Sequence, residues 1–203
     1  MTSPGEPYLV PAGTARSEVR EKGSRFLAIV EPVDDEREAR RRLESLAEEN
    51  SDATHVCWAW RIGQPPREGR SDAGEPTGTA GAPMLQVLRG SELSDVLVAV
   101  IRWYGGVKLG KGGLARAYAQ AVRQALEQLP KVECIPTVSL EVLIPYARFG
   151  EIKRVVHPPE VVIAEERYTD ETVQLKLEVA VGRLAWLRET LASLGAEATS
   201  PGE

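Results

Sequence analysis

At 203 residues, 42% of them hydrophobic and only two of them cysteines, the chain suits one domain or two small ones, with no disulfide framework and no apolar stretch of membrane-spanning length. Its net charge of −5 excludes broad, non-specific coating of nucleic acid, but leaves room for a local basic patch. Residues 1–130 carry 17 basic and 18 acidic side chains, and residues 131–203 carry 8 and 12, so the acid excess lies toward the end.

The opening, MTSPGEPYLVPAG, has no basic region ahead of an apolar core, so no secretion signal and a cytoplasmic location are expected. Thr14–Lys22 reads as a first strand, Gly23 as a turn and Arg25–Val30 as a second strand ended by Pro32. Asp34 or Asp35 then caps a helix, with Glu38 placed as in a capping box. Ala39, Leu43, Leu46 and Ala47 share its apolar face, and the triplet Arg40–Arg42 reads as a solvated face among acids.

Thr54–Ile62 alternates cleanly, with Val56, Trp58, Trp60 and Ile62 on one side and His55, Cys57, Ala59 and Arg61 on the other. The tryptophans read as a buried face rather than a base-stacking one. His55 and Cys57 share a face, but His157 and Cys134 form no compact spacing with them, so no metal site and no cofactor are expected.

Gly63–Pro83 lacks a regular period and reads as a long loop. Its functional stretch comprises Ser71, Asp72, Gly74, Glu75, Pro76, Thr77, Gly78, Thr79 and Gly81. Asp72 and Glu75, with His55, are candidates for acid–base work, and loop geometry or partner contact is the favoured role of the two carboxylates. Met84–Leu88 and Leu93–Ile101 read as strands, the second apolar on both faces as a central strand would be.

The segment IRWYGGVKLGKGGLARAY organises the chain. The apolar run Val96–Ile101 enters it, and a helical pattern over Leu114–Leu129 leaves it. Between them Arg102, Gly105, Gly106, Lys108, Gly110, Lys111, Gly112, Gly113 and Arg116 combine cations with glycines and no acid. Two readings stand: an anion site using backbone N–H groups and a helix starting near Gly113, or a tight connection whose glycines serve packing. A nucleotide P-loop is disfavoured because Gly112 follows Gly110-Lys111 where a Ser or Thr is needed for magnesium.

Beyond Pro130, Lys131–Pro136 reads as a linker, giving domains over 1–130 and 137–203. A strand over Val138–Ile144, a helix over Tyr146–Val156, strands over Val161–Tyr168 and Val173–Val181, and a helix over Leu184–Leu194 stopped by Gly195 follow. Strand, helix, strand, strand, helix is the opening of a ferredoxin-like domain.

Ser24-Arg25-Phe26, His55-Val56-Cys57, the run SDAGEPTGTAG and RWYGGVKLGKGGLARAY resemble the YigZ/IMPACT family over roughly residues 16–128. The chain departs from the family at Ala73, where a second Asp is usual, and at Trp103-Tyr104, where Tyr-Phe or Tyr-Tyr is usual. The resemblance implies an α+β protein: a two-layer domain like the second domain of ribosomal protein S5, then a ferredoxin-like domain like domains III and V of elongation factor G. It also implies relatives in eukaryotes that act in translational control by binding a ribosome-associated protein. The expected role is therefore a non-enzymatic binding module contacting RNA or a ribosome-associated protein. The alternative is a hydrolase acting on a small phosphorylated or peptide-like substrate. Oligomeric state is left open.

Overall fold

The computed structural model describes residues 5–200. The chain divides into two compact units, one spanning Tyr8–Cys134 and the other combining residues 135–200 with residues 5–7.

In the first unit, strands β1 (Tyr8–Pro11), β2 (Ala15–Glu21) and β3 (Ser24–Pro32) precede helix α1 (Glu36–Glu49). Strands β4 (His55–Ile62) and β5 (Arg67–Ser71), helix α2 (Gly81–Ser91), strand β6 (Val96–Trp103), helix α3 (Gly110–Gln128) and strand β7 (Lys131–Cys134) complete it. Five strands form an antiparallel sheet in the order β2-β3-β6-β4-β5. The central strand β6 is fully buried from Val96 to Ile101, which is why that run is apolar on both faces.

One face packs Phe26, Ala28, Cys57, Ala59, Val98 and Val100 against α2 and α3. The other packs Trp60, Ile62, Leu97, Ala99 and Ile101 against Ala39, Leu43 and Leu46 of α1. The expected two-layer arrangement thus gains a third layer, because α1 covers the second sheet face, burying Trp60 and Ile62 and partly covering Trp58. Asp35 caps α1 by accepting from the Glu38 N–H at 2.7 Å, while Glu38 Oε2 accepts from the Asp34 N–H at 2.7 Å.

Three expected features differ. Met84–Leu88 lies inside helix α2, not a strand; five apolar-rich residues do not distinguish the two periods, and tertiary capping decides. Part of the expected loop is β5, whose polar residues pair with β4 from Trp58↔Ser71 to Ile62↔Arg67. Gly69 is required there, since a Cβ would lie 2.3 Å from the Trp60 ring. Residues 131–134, read as connector, form β7, paired antiparallel with β1 from Tyr8↔Cys134 to Pro11↔Lys131.

The second unit contains β8 (Thr137–Pro145), α4 (Phe149–Ile152), β9 (Val161–Tyr168), β10 (Thr172–Ala180), α5 (Leu184–Ser193) and β11 (Glu197–Thr199). Its antiparallel sheet runs β11-β8-β10-β9. Phe149, Ile152, Leu187 and Leu191 pack on Leu140, Ile144, Val173, Leu175 and Leu177. The helix expected over residues 146–156 is only four residues of α-helix preceded by a 3₁₀ turn. Val155 and Val156 reach the core from the turn and irregular stretch after α4 instead, as two adjacent β-branched residues ahead of Pro158 favour. No helix among the described residues is long and apolar enough to cross a membrane.

Candidate functional site

Three neighbouring strands bring Phe26, Arg102 and His55 into one row, through the pairs Phe26↔Arg102 and His55↔Arg102. Row and loop meet because residues 72–80 fold back over the end of the sheet. Asp72 fixes that fold: Oδ1 accepts from the Ala80 and Gly81 N–H groups, both at 2.9 Å, and Oδ2 accepts from the Gly78 N–H at 2.8 Å. The Ala80 and Gly81 N–H groups are otherwise unmet donors at the start of α2, whose N-cap residue, Ala80, offers no side-chain cap, while Gly78 belongs to the loop ahead of it. Burial opposes the Asp72 charge, but the three N–H donors together hold its carboxyl below the usual range.

The turn at Ala73 (φ +45°) and Gly74 (φ +88°) then drives Glu75 inward. Its side chain is 2% exposed, and Oε1 accepts from Arg102 Nη1 at 2.5 Å and from the Tyr118 hydroxyl at 2.7 Å. Glu75 Oε2 lies 4.0 Å from His55 Nε2. His55 Nδ1 is 2.9 Å from the Ala73 carbonyl, which can only accept, so the proton sits on Nδ1. Ser24 Oγ accepts from Arg102 Nη2 at 3.3 Å and from the Gly105 N–H at 3.1 Å, and Arg102 Nε is buried without a partner.

Below this node, the Cys57 thiol donates to the Asp72 carbonyl at 3.0 Å and lies 3.4 Å from the Tyr118 hydroxyl. Burial pushes the thiol up to about 12, and the Tyr118 contact offsets only part of that. Burial likewise pushes the Tyr118 phenol up, with Cys57 and Glu75 adding to it. A thiol that stays protonated is a poor nucleophile, so the buried node holds structure and polarity rather than an activated sulfur. Among the described residues, no three His, Cys, Asp or Glu side chains are placed to hold a metal ion.

The candidate residues therefore fall into two groups. Arg102, Glu75 and His55 converge, and Asp72 stands apart as the clasp of the loop. Ser71 Oγ accepts from the Ala73 N–H at 3.1 Å, and Thr79 Oγ1 donates to the Pro76 carbonyl at 2.7 Å, while Thr77 is exposed. Gly78 has φ +79°, and a Cβ on Gly81 would press on the Ser71 backbone at 3.0 Å. The second group is the exposed bend. Lys108, Lys111 and Arg116 are all exposed there and lie outside the buried node.

The glycines of the bend serve different ends. A Cβ on Gly105 would lie 1.9 Å from the Gly23 carbonyl carbon, so the bend and the β2–β3 turn pack backbone to backbone. Gly106 (φ +84°) and Gly110 (φ +71°) take left-handed conformations. Helix α3 begins at Gly110, three residues before the expected start, and its N-cap Leu109 offers no side-chain bond. Gly113 packs against Leu109, while the nearest atom to a Cβ on Gly112 would be Arg116 Nη1 at 3.5 Å.

Sequence reasoning missed Tyr118 and Ser24 as members of the buried node. Tyr118 carries the same helical period as Leu114 and Ala121 and so reads as core, and its hydroxyl gives no signal of its own. Ser24 is visible in the sequence only through the motif Ser24-Arg25-Phe26.

The Impact N-terminal domain family matches residues 22–126. The IMPACT family member YigZ of Escherichia coli (strain K12) is 43% identical over 127 residues, 61% of this chain and 62% of that protein, so the match spans less than two thirds of YigZ. The IMPACT family member YvyE of Bacillus subtilis (strain 168) is 32% identical over 164 residues, covering 80% of this chain and 76% of that protein. A crystal structure described as a hypothetical protein is 32% identical, covers 98% of each chain and superposes with a TM-score of 0.72. With this fold, this loop and this glycine bend matched together, the chain belongs to the IMPACT family.

Proposed function

We propose that the chain is a non-catalytic binding and regulatory module linked to translation, with the bend over residues 105–113 at its contact surface. One contrast carries this reading. The loop carboxylates are engaged internally, Asp72 by three N–H groups and Glu75 by Arg102 and Tyr118, whereas Lys108, Lys111 and Arg116 are exposed and form no ion pair among the described residues. Free cations beside an uncapped helix start suit an anionic partner better than a turnover site. The partner class in this reading is RNA or a ribosome-associated protein.

The same reading takes the first unit as similar to the second domain of ribosomal protein S5, and the second as ferredoxin-like, similar to domains III and V of elongation factor G. The supporting observation for the second is its order β-α-β-β-α-β with strands arranged β11-β8-β10-β9. The test is affinity capture from native cytoplasm, with and without ribonuclease, by wild type and by Lys108→Ala/Lys111→Ala. A recovered partner that the double variant fails to bind supports the reading; identical recovery overturns it.

One observation favours a second reading, a hydrolase of a small phosphorylated or peptide-like substrate: the approach of His55 Nε2 to Glu75 Oε2. That reading requires a hydrolytic activity that Glu75→Gln abolishes in the protein that stays folded, without changing substrate affinity.

A further inference from the structure

The basic surface extends beyond the glycine bend. The β2–β3 connection is a two-residue hairpin turn, with Glu21 opposite Ser24 and both Lys22 (φ +47°) and Gly23 (φ +80°) left-handed. The packing of Gly105 on Gly23 seats this turn directly against the bend. Lys22 therefore sits on a turn packed against the bend that carries Lys108 and Lys111 and leads to Arg116, and all four are exposed without an ion pair among the described residues. The nearby carboxylates are mostly engaged: Glu75 with Arg102, Asp52 with the Trp103 Nε1–H at 2.9 Å, and Glu18 with Arg20 and Arg25; Glu21 remains on the hairpin.

Two aromatic residues of different standing lead into the bend. Trp103 is covered by Arg25, whose guanidinium carbon is 3.7 Å from the ring centre. Tyr104 is 45% exposed, and its ring centre lies 5.5 Å from the Arg102 guanidinium carbon. Arg102 is 5% exposed as a whole residue and has an Nε–H with no acceptor. A half-exposed ring over a buried cation, at the head of a bend that carries unpaired cations and packs on the Lys22 turn, is a stacking platform in a positive field. An acidic peptide would use the cations but not the ring. A duplex would present no free base face to it.

We propose that this surface binds single-stranded nucleic acid, with phosphates on Lys22, Lys108, Lys111 and Arg116 and one base stacked on Tyr104. This rests on the bend being a contact surface. It commits that surface to a nucleic-acid strand and adds Lys22 and Tyr104 to it.

The test is fluorescence anisotropy of the full chain with labelled 12-nucleotide RNA, the same sequence as single-stranded DNA, an RNA duplex and polyglutamate, from 50 to 300 mM salt. The expected result is binding of single strands in preference to duplex and polyglutamate, with affinity falling as salt rises; the two single-strand arms rank the sugars. Lys22→Asn, which suits a left-handed turn, and Lys108→Ala each lower the log–log salt slope by about 0.7 for each phosphate left without its cation. Tyr104→Ala weakens binding by about 5- to 100-fold without changing the slope, and Tyr104→Trp restores it. Melting curves establish that each variant is folded.

Equal binding of polyglutamate, no single-strand binding at 50 mM salt, or a folded Tyr104→Ala that binds like wild type overturns the proposal. Suppose no oligonucleotide binds, yet wild type, unlike Lys108→Ala/Lys111→Ala, captures a protein partner in the presence of ribonuclease. The nucleic-acid assignment then fails while the broader contact-surface reading holds.

Discussion

Arg102 Nη1 donates to Glu75 Oε1 over 2.5 Å, between side chains 6% and 2% exposed. The pair ties the end of the central strand β6 to the loop over residues 72–80, and the Tyr118 hydroxyl ties the same carboxylate oxygen to α3. Breaking one partner of a buried ion pair leaves an uncompensated charge, whereas replacing both with apolar groups relieves it. Glu75→Gln and Arg102→Met should each cost about 3–5 kcal/mol in urea unfolding, and Glu75→Leu/Arg102→Met less than the sum. Strict additivity of the two losses would show that the residues do not act as a pair.

Asp72 clasps the start of α2 through the Ala80 and Gly81 N–H groups and the loop before it through that of Gly78. Asp72→Asn keeps one acceptor oxygen and loses the charge, so it should cost about 1–2 kcal/mol at neutral pH. The folded carboxyl lies below the ordinary 3.8. Its stabilisation is therefore present above 3.8 and is lost as pH falls through the folded value. Acid titration of unfolding should show a smaller drop below about pH 4 in Asp72→Asn than in wild type, and parallel curves would count against this role.

Two glycines of the bend should respond oppositely to alanine. A Cβ at Gly105 would meet backbone of Gly23 at 1.9 Å, so Gly105→Ala should cost about 3 kcal/mol or more. A Cβ at Gly112 meets only the end of the Arg116 side chain, inside the first turn of α3. Gly112→Ala should be neutral or stabilising by up to about 1 kcal/mol. Thermal melts of the two variants decide, and similar losses in both would contradict the packing account.

Cys57 should set an alkaline limit. Its thiol is raised to about 12 from the ordinary 9.0, chiefly by burial. Between those values the unfolded chain gives up the proton and the folded chain keeps it, so stability falls as pH rises, by about 1.4 kcal/mol per unit. Tyr118, also raised by burial, acts in the same direction. Cys57→Ala should flatten part of this loss in urea melts between about pH 9 and 11. In native wild type at about pH 8, Cys57 should resist a thiol reagent that modifies it after denaturation.

Local chemistry determined much of this protein from the sequence alone. The period-two run from His55 to Ile62, the Asp35–Glu38 cap and the all-apolar Val96–Ile101 run each specify an element. The physical reason is that side-chain period and capping act within a few residues. The motif residues also mark the loop and the bend that carry the candidate site.

Tertiary structure alone decided the rest. β5 is too polar to read as a strand and exists because β4 offers it a ladder, with Gly69 making room for Trp60. α2 depends on a carboxylate eight and nine residues before the N–H groups it caps. β7 depends on a partner strand more than a hundred residues earlier. The meeting of Arg102, Glu75, His55, Tyr118 and Ser24, and the seating of the Lys22 turn against Gly105, likewise join segments far apart in the chain. Such contacts form only when the whole sheet has closed and buried the groups that must then find partners, and no local period encodes them.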